Sequence, residues 1–123
     1  LYTVTAEDVT CGARHEDAVC RATFCVDIHS TDPKKDKGLG NGGVKSRPYD
    51  IPLRALVAKD VDGLLMAGRC ISGDFWAHGS YRVTGNAVAM GEGAGKFAAG
   101  VVRENTTPHR GLPCFEPASS KPR

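Results

Sequence analysis

The chain has 123 residues, of which 41% are hydrophobic and 24% are charged, so its length corresponds to one domain. The formal net charge of +2 gives no electrostatic argument for binding to nucleic acid or to a membrane surface. No apolar run reaches the length of a transmembrane helix, and no secretory leader pattern follows Leu1. We therefore expect neither nucleic-acid nor membrane partners.

Short elements are expected before residue 30. Thr5 is followed by a segment, 6–8, with two acidic residues, which is the pattern of a helix N-cap and first turn. This pattern predicts a short helix or turn that ends near Gly12. Residues 1–4 are typical of a strand end, and the β-rich segment 22–28 predicts a strand.

Five cysteines occur in the chain without any C-x-x-C pair: Cys11, Cys20, Cys25, Cys70 and Cys114. With His15 and His29, the first three allow a zinc site as one interpretation. Their spacings fit no familiar ligand pattern, however, and two of them flank the predicted strand rather than a turn. We expect no bound metal and interpret the thiols as reduced cysteines of a cytoplasmic protein.

Residues 31–47 are dense in Lys, Asp and Gly, which predicts a flexible surface loop. The composition favours a solvated loop between two strands, and a substrate lid is the alternative. Residues 49–57 return to extended structure, with Pro52 tolerated near a strand start or edge. The tail, 105–123, combines several prolines with Ser and Lys and is predicted to be disordered.

The clearest pattern in the chain lies in residues 61–103. The short apolar run 64–67 stops at Gly68 and predicts a strand that is buried on both faces. From about Gly85 to Arg103 the apolar residues recur at steps of three or four, which predicts a helix. This helical stripe consists of Ala87, Met90, Ala94, Phe97, Ala98 and Val101.

The predicted helix has two unusual features. It contains four glycines after its first turn, and each costs about 1 kcal/mol against alanine, which indicates close approach of a backbone or a ligand. A close-packed core helix with small residues is the alternative. At its start, Gly85 and Asn86 follow Thr84, so unpaired N–H groups lie at the positive end of the helix dipole. Such a terminus suits a phosphate or an electron-rich carbonyl.

Several motifs follow one another along the chain: TAEDV at 5–9, VDIH at 26–29, IPLRAL at 51–56, DGLLMAGRCIS at 62–72, HGSYRV at 78–83 and GEGAG at 91–95. Together they resemble the C-terminal part of the FAD-dependent oxidoreductase family, within the two-dinucleotide-binding-domain flavoprotein superfamily. The resemblance covers nearly everything up to Arg103. It implies an α/β fold, namely the C-terminal portion of a Rossmann-like FAD-binding domain plus a piece of a β-rich substrate domain.

The same resemblance implies a division of the chain into three parts. Residues 1–57 would be the end of the substrate domain, with the flexible loop 31–47 inside it. Residues 58–104 would be the C-terminal strand, loop and helix of the FAD-binding domain. The disordered tail, 105–123, would follow.

The resemblance also implies which residues contact FAD. They surround the end of the predicted strand and the start of the predicted helix: Gly68, Arg69, Arg82, Gly85, Asn86, Ala87 and Val88. The N–H groups of Asn86, Ala87 and Val88 would meet the flavin N1–C2=O2 region, where the helix dipole stabilises the negative charge that develops on reduction. Arg69 would contact the phosphate or ribityl side of FAD, and a surface arginine at a strand end is the alternative.

Three residues are candidates for hydride transfer between FAD and a small organic substrate. His78 and His29 are candidates for an acid–base pair, because histidine titrates near neutral pH. Arg82 would either add positive charge beside the flavin or orient an anionic substrate. Structural, hydrogen-bonded histidines are the alternative, and the neighbouring Phe75 and Trp76 either wall a pocket or simply pack.

A flavoprotein of this kind begins with a strand and a G-x-G-x-x-G turn for the FAD pyrophosphate, and the chain has no such motif. The glycines of 91–96 have the wrong spacing and lie within the predicted helix. We therefore expect a fragment of a longer enzyme, inactive alone, whose partner is the N-terminal remainder of that enzyme. The alternative is a truncated, non-catalytic α/β binding module.

Overall fold

The computed structural model describes residues 1–32, 34 and 40–112. Its regular elements are α1 (Ala6–Cys11), β1 (Ala18–Ala22), β2 (Tyr49–Pro52), α2 (Phe75–Tyr81), α3 (Thr84–Arg103) and α4 (Pro108–Gly111). Two 3₁₀ turns, Leu53–Ala55 and Gly68–Cys70, connect them. This mixture of helices with a small sheet is compatible with the expected α/β class. The Rossmann-like portion and the substrate-domain piece stay predictions.

The predicted N-terminal helix is confirmed as α1. Thr5 is its N-cap, and the Thr5 side chain and the Asp8 carboxylate bind each other's backbone N–H groups in a capping box. Gly12 ends the helix in the left-handed conformation, with φ of 73°. Val9 is fully buried and anchors α1 to the core. Local sequence thus defines both ends of this helix.

The sheet contains β1 and β2 alone among the described residues, paired antiparallel with Cys20 opposite Ile51. The predicted strand at 22–28 is therefore wrong in position. Residues after Ala22 instead make single backbone bonds to separate segments, as in the bond from the Ile28 N–H to the Gly40 carbonyl (2.7 Å). A strand needs consecutive bonds to one neighbour, and this segment has none in the described chain.

The predicted extended segments are only partly confirmed. The extended segment at 49–57 is confirmed as far as Pro52, beyond which Leu53–Ala55 forms a 3₁₀ turn. At the N-terminus, Val4 forms a single parallel bridge with Gly73.

The predicted strand at 64–67 is also wrong. Leu65 forms one isolated bridge with Val57, and Leu64 is 44% exposed. A strand buried on both faces needs ladder partners on both edges, and the described chain supplies one edge only, through Val57 and its neighbours. The apolar run is instead a half-buried connection into the 3₁₀ turn at Gly68–Cys70.

The predicted long helix is confirmed as α3. Its buried residues recur at steps of three or four: Asn86, Met90, Gly93, Phe97 and Val101. Gly93 is where close approach is required, because a Cβ atom there would lie 2.7 Å from the Cβ of Val19 in β1. Gly91, Gly95 and Gly100 have open space where a Cβ would be. The close approach of α3 to β1 therefore explains one of the four glycines, Gly93.

The predicted disordered tail is wrong over its first part, because α4 packs on the end of α3. Pro108 is buried, and a Cβ at Gly111 would lie 3.0 Å from Val101. His109 Nδ1 lies 3.0 Å from Asp62 Oδ1, which ties α4 to the loop before Leu64. Residues 113–123 lie outside the described residues.

The loop predicted at 31–47 is described only in part, since 33 and 35–39 lie outside the described residues. Its later half packs on the protein: Val44 contacts the core, and a Cβ at Gly42 would lie 2.5 Å from the Trp76 ring. Trp76 is therefore a packing residue. In the described part of the chain, no helix combines the length and apolarity needed to cross a membrane.

Candidate functional site

A cleft of about 310 Å³ lies between the segment after β1 and helix α2. Its lining residues come from both elements: Asp27, Ile28, His29, Phe75, His78, Gly79 and Arg82. The structure thus brings together all three residues that the sequence nominates for catalysis, His29, His78 and Arg82. Phe75 is 68% exposed and forms an apolar wall, so it belongs to the pocket rather than to the core.

Helix α2 is positioned by a shared carboxylate at its start. Asp74 is the N-cap, and its Oδ1 accepts from the Ala77 N–H (2.8 Å) while its Oδ2 accepts from the Ala6 N–H (2.7 Å). Asp74 therefore joins the starts of α1 and α2 and is a structural residue. At the other end of α2, the buried Tyr81 donates to the Ile71 carbonyl at 3.1 Å.

The segment that carries Asp27 is held against α2 by polar contacts. Ser80 donates to the Phe24 carbonyl at 2.6 Å and accepts from the Tyr49 hydroxyl at 3.0 Å. The Asp27 N–H donates to the Gly79 carbonyl at 3.0 Å. A Cβ at Gly79 would lie only 3.2 Å from the Asp27 carbonyl oxygen, so glycine permits this close approach.

Arg82 and His29 meet at Asp27 on the wall of the cleft. Arg82 Nη2 donates to the Asp27 carbonyl oxygen at 3.0 Å and lies 3.5 Å from Asp27 Oδ2. His29 Nε2 lies 3.1 Å from the same Oδ2. Because an ionised carboxylate only accepts hydrogen bonds, the His29 Nε2 carries the proton of this bond.

His78 occupies a less polar position in the cleft. Its ring meets the Tyr81 ring edge to face, with centroids 5.4 Å apart. None of the residues that the structure describes forms a hydrogen bond with its imidazole. The His78 ring is therefore held by packing, whereas the His29 ring is held by a carboxylate.

The start of α3 follows the cleft directly, since Arg82 caps the end of α2 and Val83 is the N-cap of α3. Within the part of the chain that the structure describes, no side chain caps this helix, and its first turn contains no acidic residue. The Ala87 N–H donates to the Val83 carbonyl at 3.1 Å and is already inside the helix. The N–H groups of the first turn are consequently those of Thr84, Gly85 and Asn86, and the sequence-based choice of the Ala87 and Val88 N–H groups is wrong.

The other residues nominated for FAD binding surround this helix start. Gly68 has φ of 62°, and a Cβ there would lie 3.1 Å from the Ala87 Cβ. Arg69 Nε donates to the Arg82 carbonyl at 3.3 Å. The side chain of Asn86 is buried and donates to the Ser80 carbonyl at 3.4 Å, whereas Val88 is 67% exposed. Of the nominated set, Gly68, Arg69 and Gly85 thus lie beside the exposed end of the helix.

Sequence reasoning gave no role to Asp27, although Asp27 is the residue that joins two of the candidates. The spacing of two between Asp27 and His29 places them on one side of an extended segment, which is a usable signal. Arg82 lies 55 residues from Asp27 along the chain, so no local pattern in the sequence signals their contact. Of the apolar part of the cleft, Phe75 is predicted either to wall a pocket or to pack, whereas Ile28 has no local signal.

None of the four described cysteines lines the cleft. Cys11, Cys20, Cys25 and Cys70 are free thiols, and Cys114 lies outside the described residues. Burial raises the pKa of Cys20 to about 11. No group of three His, Cys, Asp or Glu side chains in the described chain is arranged to hold a metal ion.

Comparison with known proteins adds one positive finding. No curated protein and no solved structure matches the chain. The family model described as FAD dependent oxidoreductase matches residues 1–114, which is most of the sequence. FAD is the cofactor that this family uses. The chain therefore belongs to the FAD-dependent oxidoreductase family.

Proposed function

We propose that the chain closes the flavin site of an FAD-dependent oxidoreductase and takes part in hydride transfer between FAD and a small organic substrate. The observation that carries the proposal is the position of the cleft. Its walls hold His29, His78 and Arg82, and it adjoins the uncapped start of α3. The groups proposed to bind FAD and the groups proposed to transfer the proton would thus lie side by side.

The start of α3 fits a flavin in its chemistry. Thr84 and Gly85 are exposed, no acidic residue is present in the first turn, and the N-cap Val83 offers no oxygen of its own side chain. The first-turn N–H groups would bind the electron-rich C2=O2 carbonyl, and the helix dipole would favour negative charge there. Bound FAD supplies a ring that accepts or gives a hydride. Arg69 and Gly68 would line the same side.

The cleft would hold the substrate. Arg82 adds positive charge to it, and Phe75 with Ile28 offers an apolar surface to the substrate body. His78 and His29 are the candidates for moving the proton that accompanies hydride transfer, because histidine exchanges protons near neutral pH.

We further propose that the N-terminal remainder of the same enzyme is the partner of this chain. It would supply the G-x-G-x-x-G turn for the FAD pyrophosphate, which the chain lacks. The outer face of α3 supports such contact: Val88 and Val102 are exposed there, and no atom of the described residues lies within 4 Å of the positions a Cβ would take at Gly91 and Gly95. The chain alone would then be inactive.

Absorbance spectra and FAD titration of two purified proteins test the proposal. One is the 123-residue chain and the other is the full-length product of its gene. We expect a yellow full-length protein that shows the absorbance bands of bound flavin, beside a colourless fragment. A full-length protein that contains and binds no flavin would overturn the proposal and favour a non-catalytic binding module.

We also propose that the enzyme works in the cytoplasm. The four described cysteines are all free thiols, which is the usual state in a reducing compartment. Cell fractionation followed by immunodetection of the full-length protein tests this, and recovery from an oxidising compartment would contradict it.

A further inference from the structure

We propose that Asp27 is a positioning residue of the flavin reaction: it holds the Arg82 guanidinium and the His29 imidazole at one carboxylate oxygen and thereby fixes both in the cleft. The inference rests on the proposed function, since it assigns the residue that organises two of its three candidate catalytic groups.

The contacts of Asp27 support this role. Its Oδ2 lies 3.1 Å from His29 Nε2 and 3.5 Å from Arg82 Nη2, and its carbonyl oxygen accepts from the same Nη2 at 3.0 Å. Both contacts of Arg82 start from one nitrogen, Nη2, which faces the main-chain and the side-chain oxygen of one residue. Two acceptors at one Nη group restrict its rotation more than one acceptor does, because hydrogen bonds are directional.

Asp27 is itself well fixed. The side chain of Asp27 is only 15% exposed, compared with 34% for Arg82 and 49% for His29. Its N–H donates to the Gly79 carbonyl at 3.0 Å, so the backbone of Asp27 is tied to α2, the helix whose C-cap is Arg82. The most buried member of the cluster is therefore the one that can define the positions of the other two.

A positioning role differs from a pure charge effect in a measurable way. The negative charge of Asp27 lowers the reduction potential of a nearby flavin by the same amount whether or not Arg82 is present. If Asp27 also holds Arg82 in place, removal of the Asp27 carboxylate also loses the increase in potential that the positioned Arg82 guanidinium provides. The effect of Asp27→Asn must then depend on residue 82, which a double-mutant cycle detects.

The experiment uses the full-length protein purified with FAD. We would measure the midpoint potential of the wild type, Asp27→Asn, Arg82→Gln and the double variant by equilibration with reference dyes. We expect Asp27→Asn to raise the potential less in the wild-type background than in the Arg82→Gln background. The expected difference is about tenfold in the reduction equilibrium constant, or about 30 mV for a two-electron couple. Equal shifts in the two backgrounds would overturn the positioning role.

A second readout needs no flavin. In the NMR spectrum of the flavin-free full-length protein, a held guanidinium gives separate Nη signals for Arg82, and we expect these to merge in Asp27→Asn and to stay separate in Asp27→Glu. Asp60→Asn, an exposed carboxylate away from the cleft, is the matched control. Unchanged Arg82 signals in a folded Asp27→Asn protein would contradict the inference. If the wild-type full-length protein contained no flavin, the proposed function alone would be overturned. The NMR signals of Arg82 would still test whether Asp27 positions its guanidinium.

Discussion

Arg82 connects the two halves of the candidate site at the level of a single residue. Its guanidinium points to Asp27 in the cleft, and its carbonyl accepts from Arg69 beside the start of α3. The side chain is only 34% exposed, so water screens its charge less than it would at the surface. Under the proposed function, a positive charge in this position would favour a flavin that becomes negative on reduction.

Replacement of Arg82 by alanine tests that electrostatic role in the full-length enzyme. We expect Arg82→Ala to lower the flavin midpoint potential and to slow flavin reduction about tenfold, the effect of roughly 1.4 kcal/mol in the barrier. FAD should stay largely bound, because the N–H groups of α3 are unchanged. Dye-equilibration potentials and stopped-flow reduction by dithionite provide the measurements.

The control for this variant is Lys96→Ala on α3, which removes a cation that is 63% exposed and pairs with Glu92. We expect this exposed pair to contribute little, so the potential should stay at its wild-type value. The same potential and reduction rate in Arg82→Ala as in the wild type would refute the role given to Arg82.

Helix α3 is the element that joins the core to the candidate site. Its inner face meets β1 so closely that Gly93 leaves no room for a Cβ beside Val19. Its outer face has open space at Gly95, where the backbone freedom of glycine weakens the helix without any described contact in return. Gly93 is therefore required for packing against β1, whereas Gly95 weakens the helix.

Alanine substitutions at these two positions should change stability in opposite directions. In the 123-residue chain we expect Gly93→Ala to lower the free energy of unfolding by about 1–3 kcal/mol, because the added methyl group overlaps Val19. We expect Gly95→Ala to raise it by up to about 1 kcal/mol through helix propensity. Urea unfolding followed by circular dichroism measures both.

The full-length protein extends this comparison to the proposed partner contact. If the N-terminal remainder packs on the outer face of α3, Gly95→Ala should destabilise the full-length protein although it stabilises the chain. A stabilising effect in both proteins would argue against contact at Gly95. A stable Gly93→Ala variant would show that β1 can shift away from α3.

At the scale of the whole molecule, the same buried tyrosines hold the core together and position the cleft. Tyr49 is fully buried in β2 and donates to Ser80, whose hydroxyl in turn holds the segment leading to Asp27. Tyr81 is fully buried at the end of α2. Burial raises the pKa of both Tyr49 and Tyr81 to about 12.

These tyrosines predict a loss of stability in alkaline solution. A raised pKa means that the folded protein binds the phenolic proton more tightly than the unfolded chain does. The stabilisation is therefore complete below about pH 10, the ordinary tyrosine value, and disappears as the pH rises towards 12. We expect the free energy of unfolding to fall by up to roughly 1.4 kcal/mol per pH unit for each tyrosine in that interval.

Urea unfolding between pH 8 and pH 11 provides the measurement, with the tyrosinate absorbance recorded in parallel. Tyr81→Phe is the informative variant: it loses its bond to Ile71 and should be less stable at pH 8, but its stability should fall less steeply above pH 10. An alkaline decline as steep in Tyr81→Phe as in the wild type would assign the effect to other groups.

The sequence by itself determined the family, α1 and α3. The capping box and the terminal glycine of α1 lie within a few residues of one another, and the apolar spacing of α3 repeats over its whole length, so both are readable in a local window. The family follows from motifs that match over residues 1–114. The sequence also nominated the histidines and Arg82, because their residue types carry the chemistry.

Only the tertiary structure decided where those residues meet. The bond between Arg82 and Asp27 joins positions 55 residues apart, so no local pattern encodes it. Two predictions, the strand at 64–67 and the disorder of the segment that forms α4, were wrong for the same physical reason: both depend on distant parts of the chain. Pairing depends on which distant backbone lies alongside, and order in a short segment depends on the surface that covers it, here Val101 and Phe97 of α3.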